Sequence, residues 1–391
     1  MIKIVHCADI HAGRPASLEL GPEKALTRRK EIEETFFRIV EIAREEKADL
    51  LLISGDLFEH KYARPSWARE AAEALGSIPD TRVFAAPGNH DPVLKDSLYL
   101  STPWPKNVTV LLSPEWSEVV MEDKGVAVYG RGWTTYRETE PLLRGFHARR
   151  SDLLNLMLVH GELVNRSLEG SEYLPIYPED VIGSGIHYLA LGHIHAPSSV
   201  RLGDTAAVYA GCPEPLDFGD KGERGIYLVT AEKTARGDFS VKPEFKPIAK
   251  RQMKSAEVDI TGLDTEERVR NAILSVDAPE ARKRDLWAIT LTGRVEPEIS
   301  FETQSLEREL SGEFFSLRIS TDYWPDYDLQ ALADPDNQSL EGRFVRHLRE
   351  MADERRAQGD SRGAEIAELA IYYGLDALRQ GKVLLRGRRW N

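Results

Sequence analysis

Short apolar runs, each followed closely by polar residues, constrain the fold of this chain more than any other feature of its sequence. Apolar runs of a few residues are typical of buried strands. Five of them lie in the first half of the chain: Ile2–Cys7, Leu50–Ile53, Val83–Ala86, Leu156–Val159 and Tyr188–Leu191. Open α/β sheets carry their chemistry just beyond the carboxyl ends of such strands. The pattern therefore predicts that the polar residues after these runs meet at one rim of the fold.

The polar residues that follow the five runs belong to the types that hold metal ions. They are Asp9, His11, Asp56, Asn89, His90, Asp91, His160, His193 and His195. In an extended backbone, the outer side chains of Asp-x-His or His-x-His project to the same side. Taken singly, a Gly-Asp turn or an isolated histidine is as readily explained by a structural role. Together and in this order, the clusters of nitrogen and oxygen ligands predict a dinuclear metal centre.

Composition limits the classes of protein that remain. The chain has 391 residues, which predicts two or three domains, and a formal net charge of −13. That acidity excludes a protein that coats nucleic acid by bulk electrostatic attraction, so DNA binding would need local patches or a partner. Two cysteines in apolar surroundings, Cys7 and Cys212, indicate buried thiols in a reducing compartment. No apolar stretch approaches the roughly 18 residues of a membrane span, so we expect a soluble, cytoplasmic protein without a signal peptide.

The order of strands and helices predicts three segments. Over residues 1–250, strands alternate with helices and then follow one another, which predicts an α/β (α+β) fold with a two-sheet β-sandwich flanked by helices. Residues 251–325 have the pattern of a small α/β domain. Residues 326–391 are expected to form a linker and two amphipathic helices, whose apolar faces include Leu340 and Ile366. The basic end, Arg386–Trp390, either contacts DNA or frays.

The polar clusters also carry a family resemblance. The motifs Asp-x-His, Gly-Asp, Gly-Asn-His-Asp, His and Gly-His-x-His are complete between Asp9 and His195, and in this the chain resembles the calcineurin-like metallophosphoesterases. The segment from Tyr209 to Leu228 is similar to that of a narrower branch. This branch comprises the SbcD nucleases, the related DNA double-strand-break repair nucleases and YhaO-like exonucleases. The resemblance implies a metallophosphoesterase core, and it implies that residues 251–325 are the capping domain.

The resemblance further implies how the ligands are shared between two metals. Asp9, His11, Asp56 and His195 would hold one metal, and Asp56, Asn89, His160 and His193 would hold the other, with Asp56 bridging. These ligands suit Mn²⁺, and also Fe²⁺ or Zn²⁺. His90 is left over and is the candidate for protonating the leaving oxygen or stabilising the transition state. Asp91 either orients His90 or caps the turn before Pro92.

One position departs from part of the branch. In some of the repair nucleases, a histidine directly follows the Gly-Asp-Leu-Phe turn and reaches toward the substrate phosphate. In this chain Glu59 stands there, and His60 comes one residue later. His60 therefore either takes over this contact through a shifted loop, or the contact is absent. Arg131, which follows the strand at Val126–Gly130, is a further candidate for substrate binding.

Three functions remain open at this stage, because the surroundings of a phosphoesterase centre decide its substrate. The first is a Mn²⁺-dependent DNA exonuclease or endonuclease, the nuclease subunit of an SbcCD-like repair complex. For that case the resemblance implies a homodimer and an SMC-like coiled-coil ATPase bound through the C-terminal helices. The second is a small-molecule phosphodiesterase acting on cyclic nucleotides or nucleotides. The third is a non-catalytic, metal-binding scaffold for such an ATPase.

Overall fold

The computed structural model describes residues 1–15, 20–141, 143–164, 171–235, 237–381 and 383. The chain divides into two compact units, unit 1 (Met1–Met253) and unit 2 (Lys254–Asn391). Both mix helices with strands, which confirms the predicted mixed α/β class. The predicted contact at Arg386–Trp390 lies outside the described residues. Within the described part of the chain, no helix has the length and apolar character needed to cross a membrane.

Unit 1 contains strands β1 to β14 and helices α1 to α4. The strands are β1 (Ile2–Cys7), β2 (Leu50–Ser54), β3 (Arg82–Ala86), β4 (Val108–Val110), β5 (Ser117–Met121), β6 (Val126–Gly130), β7 (Leu154–His160), β8 (Glu162–Leu163), β9 (Pro175–Ile176), β10 (Tyr188–Gly192), β11 (Ser198–Leu202), β12 (Thr205–Tyr209), β13 (Gly225–Lys233) and β14 (Phe239–Pro247). The helices are α1 (Gly21–Glu45), α2 (Pro65–Gly76), α3 (Leu98–Ser101) and α4 (Pro178–Val181). The five apolar runs of the sequence correspond to β1, β2, β3, β7 and β10.

Two six-stranded sheets form the body of unit 1. The first has the order β14-β13-β1-β2-β3-β4, and the second has the order β11-β12-β10-β7-β6-β5. Strands β1 to β4 run parallel, as do β12, β10, β7 and β6, whereas β13, β14, β11 and β5 pair antiparallel with their neighbours. Strands β8 and β9 form a separate parallel pair. The topology is thus the two-sheet arrangement that the strand pattern predicted.

The sheets pack on each other and on helices because most central strands are apolar on both faces. The layer between the sheets contains Leu52 and Phe84 from the first sheet and Leu156 and Tyr188 from the second. The outer face of the first sheet packs against α1 and α2. The side chain of Phe36, on α1, is fully buried there. With both faces covered, the strand ends are the places where polar side chains can gather.

Unit 2 combines a three-stranded sheet with six helices among its described residues. Its elements are β15 (Met253–Asp259), α5 (Glu266–Leu274), α6 (Pro279–Arg284), β16 (Leu286–Val295), α7 (Thr303–Glu309), β17 (Ser316–Pro325), α8 (Leu329–Ala333), α9 (Leu340–Ala357) and α10 (Ser361–Gln380). The sheet order is β15-β16-β17, and β16 runs parallel to β17. The predicted division into 1–250, 251–325 and 326–391 stays a prediction. A short helix, α8, precedes the two longer helices within residues 326–391.

The buried face of the last helix differs from the prediction, and on α9 the first residue of the predicted face is exposed. Leu340 of α9 is 68% exposed and Ile366 of α10 is 59% exposed. Helix α10 instead buries Ala364, Ala367, Ile371 and Leu375, a stripe with the same helical spacing as the predicted one. Because two such stripes exist on α10, periodicity alone could not choose between them.

Candidate metal centre

The predicted site residues lie at the ends of five strands from both sheets. Asp9 and His11 follow β1, Asp56 follows β2, and Asn89 to Asp91 follow β3 in the first sheet; His160 ends β7, and His193 and His195 follow β10 in the second. Contacts between the sheets join them: His160 Nε2 lies 2.8 Å from Asn89 Oδ1 and 3.3 Å from Asp56 Oδ2. The backbone N–H of His193 donates to Asp9 Oδ1 at 3.0 Å.

The backbone at these residues is held in an uncommon conformation. Among the described residues other than glycine, six have a positive φ, and four of the six are Asp9, His11, Asp56 and His193, with φ of 53°, 51°, 52° and 97°. Such conformations cost of order 1–3 kcal/mol each and persist where the surrounding structure enforces them, often at functional sites. The strain therefore marks the same residues that the sequence motifs select.

Glycines in the motifs allow the strand ends to approach each other. A Cβ atom on Gly192 would lie 1.8 Å from the carbonyl oxygen of Ser54. A Cβ atom on Gly55, whose φ is +88°, would lie 2.2 Å from His160 Nδ1. Both positions are closed to larger residues because a contact below about 3.0 Å with backbone or with a fixed ring cannot be relieved. The glycines thus bring β2 of the first sheet against β7 and β10 of the second.

All seven predicted metal ligands come together in this rim. The ligand atoms of Asp9, His11 and His195 lie within 4.8 Å of one another, and so do those of Asp9, Asp56 and His160. Asn89 Oδ1 also lies 3.3 Å from His193 Nδ1, which adds the remaining two residues.

The donor and acceptor pattern fits metal ions between these side chains. The Nδ1–H of His160 donates to the carbonyl oxygen of Ser54 at 2.9 Å, so its Nε2 faces the oxygens of Asn89 and Asp56 and carries either a proton or a metal ion. The Nε2 of His11 is buried without a hydrogen-bond partner and lies 3.5 Å from Asp56 Oδ2. Acceptors that face each other in a buried site need a cation between them. The residues present therefore fit a site for divalent metal.

The electrostatics of the rim point the same way. Burial favours the neutral form of His160, but the negative charges of Asp56 and Asp9 outweigh it and raise the pKa of His160 to about 9. Burial alone would raise the pKa of Asp56, yet the neighbouring histidines lower that pKa far below its usual value. The buried carboxylate thus stays ionised and attracts positive charge.

Glu59 is a functional candidate that sequence reasoning missed. Its carboxylate lies 3.2 Å from His11 Nδ1 and 3.1 Å from His90 Nδ1. Burial raises the pKa of Glu59, but the hydrogen bonds from the two histidines lower it to about 2. Against the effect of burial, the same hydrogen bond raises the pKa of His90. Glu59 therefore links a predicted ligand to the half-exposed His90 and leaves the Nε2 atom of each histidine available.

Asp91 is placed differently from His90. Its carboxylate accepts hydrogen bonds from the backbone N–H of Gly88 (2.6 Å), the backbone N–H of Phe58 (3.0 Å) and the hydroxyl of Tyr99 (2.7 Å). Burial and the charge of Asp56 raise the pKa of Asp91 to about 6. These contacts tie together the loops after β2 and β3, and Glu59 is the carboxylate that contacts the His90 ring.

The two predicted substrate contacts have partners of their own. His60 Nε2 lies 3.2 Å from Asp96 Oδ1, and its ring is 6.4 Å from that of Tyr136. Arg131 is buried and pairs with Glu138 at 2.7 Å. His60, in the loop after β2, thus lies next to His90 in the loop after β3, and the His60 N–H donates to the His90 carbonyl oxygen. Arg131 belongs to the interior.

Two further residues contact the predicted ligands, and no sequence motif indicated either of them. The ring of Tyr173 stacks 4.6 Å from that of His193, and Asp220 Oδ1 lies 3.3 Å from His195 Nδ1. Asp220 follows the ligand it touches by 25 positions in the chain. A histidine that binds metal through one ring nitrogen usually donates a hydrogen bond through the other. A sequence with predicted histidine ligands therefore indicates that such partners exist, although it does not say which residues they are.

Comparison with protein families agrees with the geometry of the rim. The family model for calcineurin-like phosphoesterases matches residues 2–197, which include all five strand-end clusters. The chain belongs to this family. Phosphoester hydrolysis at a metal centre is the chemistry of the family, and its two-metal character accords with the ligand groups at the rim.

Individual relatives of this calcineurin-like phosphoesterase include DNA double-strand break repair proteins and another metallophosphoesterase. The chain is 27% identical over 274 residues to the uncharacterized metallophosphoesterase YhaO of Bacillus subtilis. It is 27% identical over 297 residues to the DNA double-strand break repair protein Mre11 of Methanopyrus kandleri, and 30% identical over 282 residues to that of Aeropyrum pernix. These alignments cover 66%, 70% and 66% of this chain, and they span 64%, 62% and 64% of the relatives' own lengths.

Proposed function

We propose that this chain is a metal-dependent phosphodiesterase that cleaves DNA, with exonuclease or endonuclease action. The observation that carries the proposal is the meeting of seven nitrogen and oxygen ligands at one rim, with the Nε2 atoms of His11 and His160 directed at carboxylate or amide oxygens. Two divalent cations bound there would supply Lewis acidity and an activated nucleophile for in-line displacement at phosphorus. Mn²⁺ suits the mixed ligand set best, with Fe²⁺ or Zn²⁺ as alternatives.

His90 would be the proton donor of the reaction. Its side chain is 42% exposed, so it can reach a bound diester. Because Glu59 accepts the Nδ1–H of His90, the Nε2 atom is the one presented to the substrate, and the nearby carboxylate favours the protonated ring. A proton held at Nε2 can pass to the leaving oxygen, which is the general-acid role. His11, held by the same carboxylate, would stay in the tautomer that a metal requires.

DNA as the substrate is supported by the extent of the likeness. The alignments with the two Mre11 repair proteins run over 297 and 282 residues, which is longer than the matched phosphoesterase region 2–197. The similarity is therefore longer than the region that the family model matches. On this basis we also propose a homodimer and an SMC-like ATPase partner. The exposed Leu340 and Ile366 on the C-terminal helices supply apolar surface for that partner. The two buried free thiols fit a cytoplasmic location.

A small-molecule phosphodiesterase is the second candidate. The net charge of −13 favours it, because an acidic protein repels a polyanion more strongly than it repels a small diester. A non-catalytic scaffold is disfavoured by the His90–Glu59 pair, which has no evident use in a protein that only binds metal.

The test is to incubate the protein with Mn²⁺ and end-labelled duplex and single-stranded DNA, beside bis(p-nitrophenyl) phosphate. His90→Asn serves as the inactive control. DNA cleavage that is lost in the variant supports the nuclease and shows its polarity. Diester hydrolysis without DNA cleavage, even after addition of the ATPase partner, would favour the small-molecule enzyme. The absence of any hydrolysis would leave the scaffold.

A further inference from the structure

Asp220 lies in the loop between β12 and β13, behind His195. One oxygen of its buried carboxylate, Oδ2, accepts hydrogen bonds from the backbone N–H groups of Leu216 (2.9 Å) and Asp217 (3.3 Å). The other oxygen, Oδ1, lies 3.3 Å from His195 Nδ1. The backbone therefore fixes one side of the carboxylate, and the other side is directed at the imidazole and lies 3.8 Å from the guanidinium of Arg224.

Arg224 holds the backbone on both sides of this contact. Its buried guanidinium donates to the carbonyl oxygens of His195, Asp220 and Lys221. The backbone N–H of Cys212 donates to the same His195 carbonyl oxygen at 3.1 Å. The two segments are thus fastened to each other, so that the position of the Asp220 carboxylate relative to the His195 ring is set by several independent hydrogen bonds.

We propose that Asp220, supported by Arg224, is a positioning residue for the metal ligand His195. The carboxylate accepts the Nδ1–H of His195 and thereby selects the tautomer whose Nε2 carries the lone pair. His195 then offers Nε2 to the cation that it shares with Asp9 and His11, whose ligand atoms lie within 4.8 Å of its own. The proposal rests on the metal centre of the proposed function and is independent of the substrate.

The consequence is selective for one of the two metals. His195 belongs to the group formed with Asp9 and His11, whereas His160 and Asn89 have other partners: Ser54 fixes the His160 tautomer. Loss of a carboxylate that supports a ligating histidine typically weakens metal binding about 10- to 100-fold. Asp220→Asn keeps the shape and the acceptor for the backbone N–H groups but removes the charge. It should therefore weaken one site and spare the other.

The first experiment titrates metal-free protein with Mn²⁺ by calorimetry and electron paramagnetic resonance. We expect Asp220→Asn to retain one Mn²⁺ with wild-type affinity and to bind the second about 10- to 100-fold more weakly. Asp217→Asn is the matched control, because this side chain belongs to the same turn, is 55% exposed and accepts from the Gly219 N–H. Wild-type affinity at both sites, or equal weakening of both, would overturn the proposal.

A second readout needs no metal. Nitrogen-15 spectra of the imidazoles in metal-free protein, with the His195 signals assigned from His195→Gln, report which ring nitrogen carries the proton. The expected result is a proton on Nδ1 in the wild type and a shift toward the Nε2–H tautomer in Asp220→Asn; an unchanged tautomer would refute the inference. A wild-type protein that binds no Mn²⁺ refutes the proposed function instead, and the spectra still decide the role of Asp220.

Discussion

Replacing Glu59 by Gln should slow phosphodiester hydrolysis while leaving the fold intact. The carboxylate of Glu59 accepts one hydrogen bond from His11 and one from His90, at 3.2 and 3.1 Å. A glutamine side chain has the same shape but a single acceptor oxygen, and its NH₂ group cannot accept from the other imidazole. One of the two charge-assisted hydrogen bonds is therefore lost.

The expected loss follows from the strength of that bond. A hydrogen bond to a charged group contributes about 1.5–3 kcal/mol. If the bond to His90 is the one that acts in the transition state, kcat falls by about 10- to 150-fold, since each 1.36 kcal/mol is a factor of ten. The Glu59→Gln change should add little to His90→Asn, because both act on the same proton transfer.

The assay is hydrolysis of bis(p-nitrophenyl) phosphate under saturating Mn²⁺, with the rate followed as a function of diester concentration. Glu41→Gln provides the control, since Glu41 is exposed on α1 and pairs with its neighbour Arg44, far in the chain from the residues of the rim. A kcat for Glu59→Gln within twofold of the wild type would refute the reasoning. An additional full-sized loss in the His90→Asn background would show that Glu59 acts through His11 instead.

Three other predictions concern residues of unit 1 that support the fold around the site. Arg28→Met should lower the free energy of unfolding in urea by about 3–5 kcal/mol, because it leaves the buried carboxylate of Glu214 without its cation. The control Arg38→Met, at an exposed ion pair, should cost less than about 1 kcal/mol. Equal costs for the two variants would contradict the role of burial. Burial lowers the pKa of His6 to about 3, so the unfolded chain takes up its proton first as pH falls and stability decreases. Between pH 6.5 and 5 the free energy of unfolding of the metal-free protein should fall by about 1.6 kcal/mol through His6, and His6→Gln should flatten that part of the unfolding profile. Gly192→Ala should lose bound Mn²⁺, measured by metal analysis of the purified protein, because its Cβ would lie 1.8 Å from a carbonyl oxygen at the end of β2; full metal content would count against the close approach.

The strand-end ligands were accessible from the sequence because each lies within a few residues of the apolar run that positions it. A buried strand of known direction carries its following residues to the rim, so Asp9, Asp56, Asn89, His160 and His193 could be assigned to one site before any distance was known. The structure brings all of them together. The same local logic identified the helices that flank the first sheet.

Side-chain partners and buried faces that the packing selects followed no such rule. Asp220 reaches His195 from another loop, and Arg131 turns to Glu138 in the interior rather than to the surface. On α10, two stripes of similar hydrophobicity competed, and the packing of unit 2 selected the one that contains Ile371. Each of these contacts depends on which residue lies opposite the side chain in the folded protein. A local sequence pattern does not contain that information.

The sequence by itself thus determined the elements, the ligand types and the rim where they meet. These follow from hydrophobic periodicity and from the direction of the chain, both of which are properties of short segments. Only the tertiary structure decided which carboxylate holds each histidine: Glu59 for His11 and His90, and Asp220 for His195. Hydrogen bonds act over about 3 Å, so their partners become definite only when the packed backbone sets the distance between segments far apart in the chain.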